Sequence, residues 1–355
     1  MPHEYDLTTE DGILTWLHKS EYDEGSEVTT VERLPEGFGG FVYRAHLQDA
    51  ARASVIVKHA EGYAARAQHW KLDQSRMHFE YEAMDYLSGP EMQSDRSIRT
   101  PEVLFYDRKN YVLVMEDAGD RPSVKRWLQP GVGVEAASKV GRRLGRYLAR
   151  VHDMTANALD VKSRFNGNMT AKYLSGTLYF GGLPAAAEKF GHEDEFLQEA
   201  ACVGQQEVNE ANDVLTLGDF WTGNVLVDAK VDEAVKMYII DLELSKPGTA
   251  EFDIGQMAAE MYCLEVFRDQ QIGNRLLQSF LQSYKEARQG SFEAAKVAVR
   301  IGVHLVVIMP GAWSKEGGSE QIEQLVGYGV DLIRMGHLKD ISRLRESIVG
   351  PLMAS

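Results

Sequence analysis

The strongest constraint on how this chain folds is a change of hydrophobic rhythm part-way along it. Up to about residue 116 the apolar residues come in short runs. Val28 to Val31, Phe41-Val42-Tyr43, Ala53-Ser54-Val55-Ile56-Val57 and Tyr111-Val112-Leu113-Val114-Met115 are each bounded by turn or polar residues. Runs of that length read as buried strands. Two short helical patterns interrupt them. Thr8-Thr9-Glu10-Asp11 caps one through Ile13, Leu14 and Leu17, and Met77 to Leu87 forms the other. Beyond residues 116–120 helical spacing dominates, over Ala136–His152, Glu193–Asp213, Gly255–Arg268, Gln270–Ala287, Phe292–Ile308 and Gln321–Met335. Strands first and helices afterwards predict an α+β fold in two lobes, not an alternating doubly wound sheet. The division expected is a small β-rich lobe over residues 1–117 and a larger helical lobe over residues 118–355.

Charge and cysteine content remove several classes of function. A formal net charge of -15 argues against sequence-independent nucleic-acid binding, which needs a basic surface. It suits a cationic substrate only weakly, because net charge mainly governs solubility. Two cysteines, Cys202 and Cys263, make neither a disulfide framework nor a zinc site, and point to reduced thiols in a cytoplasmic protein. The acidic start Met1-Pro2-His3-Glu4-Tyr5-Asp6 has no apolar signal core. No run approaches the ~20 apolar residues of a membrane span, so no membrane partner is expected. Asn168-Met169-Thr170 fits a glycosylation acceptor, and without an export signal it reads as chance. Nothing suggests a coiled coil or an obligate interface, and a monomer is expected.

The chemistry concentrates in Leu217-Gly218-Asp219-Phe220-Trp221-Thr222-Gly223-Asn224 and in Ile239-Ile240-Asp241-Leu242-Glu243. An Asp able to accept a hydroxyl proton is followed closely by an Asn able to hold a metal. A second Asp then ends a strand-like run. Phosphoryl transfer needs these parts in that order. Between the two clusters, Val225-Leu226-Val227 and Met237-Tyr238-Ile239-Ile240 read as strands around the polar turn Asp228 to Glu233. That hairpin would return Asp241 towards Asp219 and Asn224. Asp241 and Glu243 alternate on an extended run and share a face. Two unpaired carboxylates on one face repel, and a divalent metal such as Mg²⁺ removes the cost. Taken alone, the first cluster would be an Asx-rich turn with Gly218 and Gly223 at positive φ.

Upstream, Gly37, Gly39 and Gly40 lie in a glycine-rich turn between two strands. A plain hairpin turn is the ordinary reading of three such glycines. The functional reading is that missing Cβ atoms let backbone N–H groups approach phosphate oxygens, and a strand-borne Lys58 at the expected distance favours it. Lys58 would pair with the phosphates of ATP and be held by a carboxylate from the next helix. Glu82 is the choice on its spacing to Ala83 and Leu87, with Glu80 the alternative. Met115-Glu116-Asp117-Ala118-Gly119 follows a buried strand as a hinge, where the backbone of Glu116 and Ala118 would meet an adenine edge. Arg142, Arg143, Arg146 and Arg150 read as one solvated helix face, and His152 as a core or capping histidine.

Together these elements resemble the aminoglycoside phosphotransferase and choline kinase group, small-molecule kinases with the protein-kinase-like fold. Asp241-Leu242-Glu243 and Glu251-Phe252-Asp253-Ile254-Gly255 look most like its methylthioribose kinase branch. Thr9-Glu10-Asp11-Gly12, Phe220-Trp221-Thr222-Gly223-Asn224 and Tyr238 to Leu244 are similar to fungal hydroxytryptamine kinases within it. The resemblance runs from about residue 5 to about residue 335. It implies Asp219 as proton acceptor, Asn224 and Asp241 as Mg²⁺ ligands with Glu243 assisting, Lys58 on the phosphates of ATP, and Asp253 as an anchor for the loop carrying Asp219. It implies a small-molecule hydroxyl acceptor, either a hydroxytryptamine-like aromatic amine or a sugar alcohol. Phe220, Trp221, Met261, Tyr262 and Trp313 are candidates for an aromatic floor. Leu217 stands where the group commonly has His, which predicts altered packing and intact chemistry. Gly40 stands where many relatives carry Asn or Ser, which leaves phosphate contacts to the backbone. The alternative is a catalytically silent, nucleotide-binding regulatory protein, and the intact acidic set argues against it.

Overall fold

The computed structural model describes residues 5–22, 27–35, 37–48, 52–92, 95, 97–129, 131–228 and 236–354. The polar turn expected after Asp228 lies largely outside them. Two compact units emerge. The first comprises Met1–Gln93, Arg99–Asp120 and Ile240–Leu244, and the second Ser94–Ile98, Arg121–Ile239 and Ser245–Ser355.

In the first unit the elements are α1 (Glu10–Lys19), β1 (Val28–Arg33), β2 (Phe41–Leu47), β3 (Ser54–His59), β4 (Tyr63–Ala64), β5 (Ala67–Lys71) and α2 (Arg76–Leu87). The two-residue strand β6 (Ile98–Arg99) marks the passage between units, and β7 (Val103–Asp107) and β8 (Val112–Glu116) complete the first. Five strands form an antiparallel sheet in the order β1-β2-β3-β8-β7. Alternation along β3 decides what each face carries. Val55 and Val57 are fully buried in a cluster with Ile13, Trp16 and Leu17 of α1. Lys58 is out of phase with them and is aligned with Val42 of β2 and Leu113 of β8. Thr9 caps α1 by accepting the Gly12 N–H at 3.1 Å, as its sequence signature predicts.

The second unit holds α3 (Val124–Trp127), α4 (Val134–Ala156), α5 (Leu159–Phe165), α6 (Met169–Tyr173), a π-helical stretch Leu174–Phe180, α7 (Leu183–Glu188) and α8 (Glu195–Glu210). The short strands β9 (Val214–Thr216), β10 (Val225–Asp228), β11 (Lys236–Ile239) and β12 (Lys246–Gly248) follow. After them come α9 (Ala250–Phe267), α10 (Gln270–Ala287), α11 (Ala294–Val307), α12 (Met309–Ala312), α13 (Ser319–His337), α14 (Ile341–Glu346) and α15 (Gly350–Met353). β10 and β11 pair antiparallel from Val225–Ile239 to Asp228–Lys236, the hairpin expected from sequence. β9 pairs with β12, aligning Thr216 with Lys246.

Helices α4 and α10 pack closely. A Cβ on Gly141 or Gly145 of α4 would collide with the backbone carbonyls of Leu276 and Phe280 on α10. Asn168 is buried, caps α6 through the Ala171 N–H and donates to the Ser245 carbonyl, so the glycosylation triplet is structural. Among the described residues no helix is long and apolar enough to cross a membrane.

Candidate active site

In the first unit the charged residues converge on Lys58. Its ammonium is 2.6 Å from Glu80 of α2, in short contact with Asp241, and 3.9 Å from Glu243. One oxygen from each of Glu80, Asp241 and Glu243 lies within 4.8 Å of the others. Arg76 is fully buried and ties this group to the glycine-rich turn. It donates to the carbonyls of Glu61, Asp73 and Gly39 at 2.8, 2.8 and 2.9 Å, and its Nε lies 3.4 Å from Glu243.

Electrostatics follow from this crowding. Burial alone would pull the Lys58 ammonium down, but the charges of Asp241, Glu80 and Glu243 outweigh it and hold it well above its ordinary value. Burial raises the Glu80 and Glu243 carboxyls, with their acidic neighbours adding to the rise and Lys58 opposing it. Three carboxylates against Lys58 and Arg76 leave negative charge in excess. Hard oxygen donors at this spacing suit a divalent cation, Mg²⁺ included.

The glycines are explained by what approaches them. A Cβ on Gly39 would lie 2.7 Å from a Glu243 carboxylate oxygen, and one on Gly40 would lie 3.3 Å from Lys58 Cε. Gly37 has φ +125°, a conformation side chains rarely adopt. Asp241 has φ +64° although it is not glycine, an uncommon and costly backbone state. At the hinge, both Arg99 Nη atoms donate to the Glu116 carboxylate at 2.6 Å. Asp117 accepts from Arg44 at 2.6 Å and from Ser54 at 2.7 Å. Both acid side chains are engaged in structure, and Ala118 is 5% exposed.

In the second unit the loop from Leu217 to Asn224 is clamped by α9. Asp253 accepts the N–H of Leu217 at 2.8 Å and of Gly218 at 3.1 Å. His152 of α4 holds the same carboxylate at 3.1 Å and contacts the Tyr284 hydroxyl of α10 at 2.9 Å. One helical turn past Asp253, Gln256 accepts the Phe220 N–H at 3.1 Å and donates to Asp219 Oδ1 at 3.0 Å. Asn224 donates to Asp219 Oδ2 at 2.9 Å, which leaves its amide oxygen for another partner. Asp219 is thus fixed by two neutral amides, one on each oxygen.

With this geometry in hand, the relatives can be placed. The model of the phosphotransferase enzyme family, APH, matches residues 30–294. The chain belongs to this family. It is 30% identical to a 4-hydroxytryptamine kinase of Psilocybe cubensis over 315 residues, 85% of this chain and 86% of that one. It is also 30% identical to a 4-hydroxytryptamine kinase of Psilocybe cyanescens over 338 residues, 92% of each chain. The ADP-bound aminoglycoside phosphotransferase APH(2'')-Ib is similar in structure, with a TM-score of 0.49 and 12% identity over 91% of this chain and 99% of that one. This phosphotransferase is therefore a small-molecule kinase with the kinase-like fold, an antiparallel sheet followed by a largely helical part.

Most of the residues singled out from sequence fall into these two clusters. Gly39, Gly40, Lys58, Asp241 and Glu243 meet in the first unit, and Asp219, Asn224 and Asp253 in the second. Glu82 requires correction. The carboxylate on Lys58 is Glu80, while Glu82 lies 3.8 Å from His78 of its own helix. The buried stripe of α2 is Arg76, Glu80, Ala83, Met84 and Leu87, the spacing of one helix face. Glu82 is off that stripe. Trp313 is also corrected as a floor candidate, because its ring belongs to the core. It is fully buried, stacked on Phe267 at 5.3 Å, with the Lys125 ammonium 4.1 Å from its ring centre. Phe220 and Met261 are likewise buried, and of the five floor candidates only Trp221 and Tyr262 keep partial exposure. Arg76 and Gln256 were missed. The only sequence signal for Gln256 is its place one turn beyond Asp253.

Proposed function

We propose that this kinase transfers the γ-phosphoryl group of ATP, with Mg²⁺, to the hydroxyl of a small aromatic amine of the hydroxytryptamine type. The observation that carries the reading is the under-neutralised set of Glu80, Asp241 and Glu243 around Lys58, beside a glycine-rich turn in which Gly39 and Gly40 approach Glu243 and Lys58 closely. Lys58 and the backbone of residues 37–40 would hold the phosphates, and Glu80 would hold Lys58. Asp241 and Asn224 would ligate Mg²⁺, with Glu243 assisting, and the ion would offset charge on the transferring group. The backbone of Glu116 and Ala118 would meet the adenine.

Asp219 would orient the acceptor hydroxyl and take its proton. Its two amide donors fix the carboxylate, so positioning is complete before the acceptor arrives. Support for the acceptor class comes from the two relatives named 4-hydroxytryptamine kinase, each matched over most of both chains. The acidic net charge is compatible with a cationic amine.

The test is ADP release by the pure protein with Mg²⁺ and a panel of 4-hydroxytryptamine, methylthioribose, choline and an aminoglycoside. Release with 4-hydroxytryptamine, abolished by Asp219→Asn, is expected. Release with another acceptor alone would move the substrate class. ATP binding with no release for any would favour a regulatory nucleotide-binding role.

A further inference from the structure

A small cavity in the second unit, whose lining does not include Asp219, holds buried positive charge with too little to balance it. Its lining includes Lys246, Arg300, Glu207, Phe180 and Phe252. Lys246 is 1% exposed, and its ammonium has no hydrogen-bond partner. The face of Phe252, 4.1 Å away, meets that ammonium. Arg300 is 4% exposed and lies 4.4 Å from the Phe180 ring centre, with its Nε–H also unpartnered. Glu207 cannot serve both cations. It is committed to Arg300 on one oxygen and to Lys296 at 3.0 Å on the other.

A buried ammonium carries three donors, and leaving all of them without an acceptor is among the costlier states in a protein interior. Aromatic faces attract the charge but accept no strong hydrogen bond. The surrounding carboxylates fall short as well. Burial pushes Lys246 down to about 8, with Asp253 and Asp219 opposing the shift and Lys172 reinforcing it. Arg300 is pushed down to about 10 by burial. The cavity has room for about one water-sized body. That size excludes nucleotides, phosphate esters and organic acids.

We propose that this cavity binds a monovalent inorganic anion of chloride size, with the Lys246 ammonium as its main partner and the Arg300 Nε–H as the second. The anion supplies the missing acceptor and the missing negative charge together.

The experiment compares thermal unfolding of the intact protein at neutral pH in sodium chloride and in sodium gluconate, at equal ionic strength. Chloride is expected to raise the midpoint saturably, by about 2 °C at tenfold excess over its dissociation constant. Lys246→Met, which keeps the length and removes the charge, is expected to show no difference between the salts. Crystals of the unaltered protein soaked in bromide provide a second reading that does not depend on the variant folding. An anomalous peak beside Lys246 is expected. Identical midpoints in the two salts, a water molecule in place of bromide, or a bromide peak without any thermal effect would each overturn the proposal.

Discussion

The two polar clusters of this kinase solve opposite problems. Around Lys58, three carboxylates and two cations crowd together inside the first unit, and burial, with the neighbouring acids adding to it, raises the Glu80 and Glu243 carboxyls. Around Asp219 and Asp253, carboxylates are held by two side-chain amides and two backbone N–H groups, all neutral donors, with the ring of His152 against Asp253. The first arrangement is incomplete without further positive charge. The second is complete as it stands. A site that must receive a charged ligand leaves its electrostatics unfinished, and a site that must hold one group in one orientation finishes them in advance.

The largest effect should come from the finished cluster. Asp219→Asn is expected to lower turnover roughly 10²–10⁴-fold with little change in unfolding midpoint, and steady-state kinetics beside a thermal melt would show it. Retained turnover would end the role assigned to Asp219. Lys58→Met strikes the unfinished cluster and should cost activity and stability alike, about 3 kcal/mol or more in denaturant titration, since buried carboxylates lose their counter-charge. Adding Mg²⁺ should restore part of that loss. If it restores as much in Asp219→Asn, the contrast between clusters is wrong.

Gly39→Ala tests the packing of the turn against Glu243. A kcat/KM lower by roughly 10–100-fold is expected, because small misplacements near reacting groups are costly. Wild-type kinetics would show that the carboxylate moves aside freely. Gln256→Leu removes both of its bonds to the loop and should lower kcat about tenfold, one hydrogen bond to a charged group, leaving KM for nucleotide unchanged. A change confined to KM would argue that Gln256 meets a ligand directly.

The smallest effect concerns Lys246, the buried ammonium of the second-unit cavity. Lys246 has a folded value near 8 against an ordinary 10.5, so above pH 8 the unfolded chain binds more protons and stability rises with pH. In gluconate buffer, moving from pH 8 to pH 9 should add about 1 kcal/mol to the unmodified protein relative to Lys246→Met. The difference should vanish in saturating chloride. A gain that persists in chloride would separate the titration from anion binding.

What could be read from sequence depended on how local the determinant was. Lys58, Asp219, Asn224 and Asp241 announce themselves because each sits at the end of a short apolar run or beside a glycine, and both signals are contained in a few residues. The α+β order was legible for the same reason. The choice between Glu80 and Glu82 turned on helix phase: Glu80 lies three residues before Ala83 and seven before Leu87, on their face, whereas Glu82 adjoins Ala83 and points elsewhere. Nothing local marks Arg76, Gln256 or Lys246. Their significance arises from long-range placement: a backbone carbonyl of the glycine turn, an oxygen of Asp219, and a cavity formed by residues far apart in sequence. Trp313 misled as a floor candidate because its residue type suits a pocket and a core equally, and its burial depends on packing against Phe267, far off in sequence.

Gly141 and Gly145 bring α4 and α10 together, and that helix pair carries His152 and Tyr284, which steady Asp253. A genetic screen for inactive protein should therefore recover these glycines as well as Asp219. Such lesions would be hard to suppress. The added methyl group meets backbone carbonyls, which every residue on α10 possesses, so no side-chain exchange at the opposing positions removes the obstruction. Invariance at these two sites would then report on the loop that bears Asp219, although neither glycine comes near it in sequence.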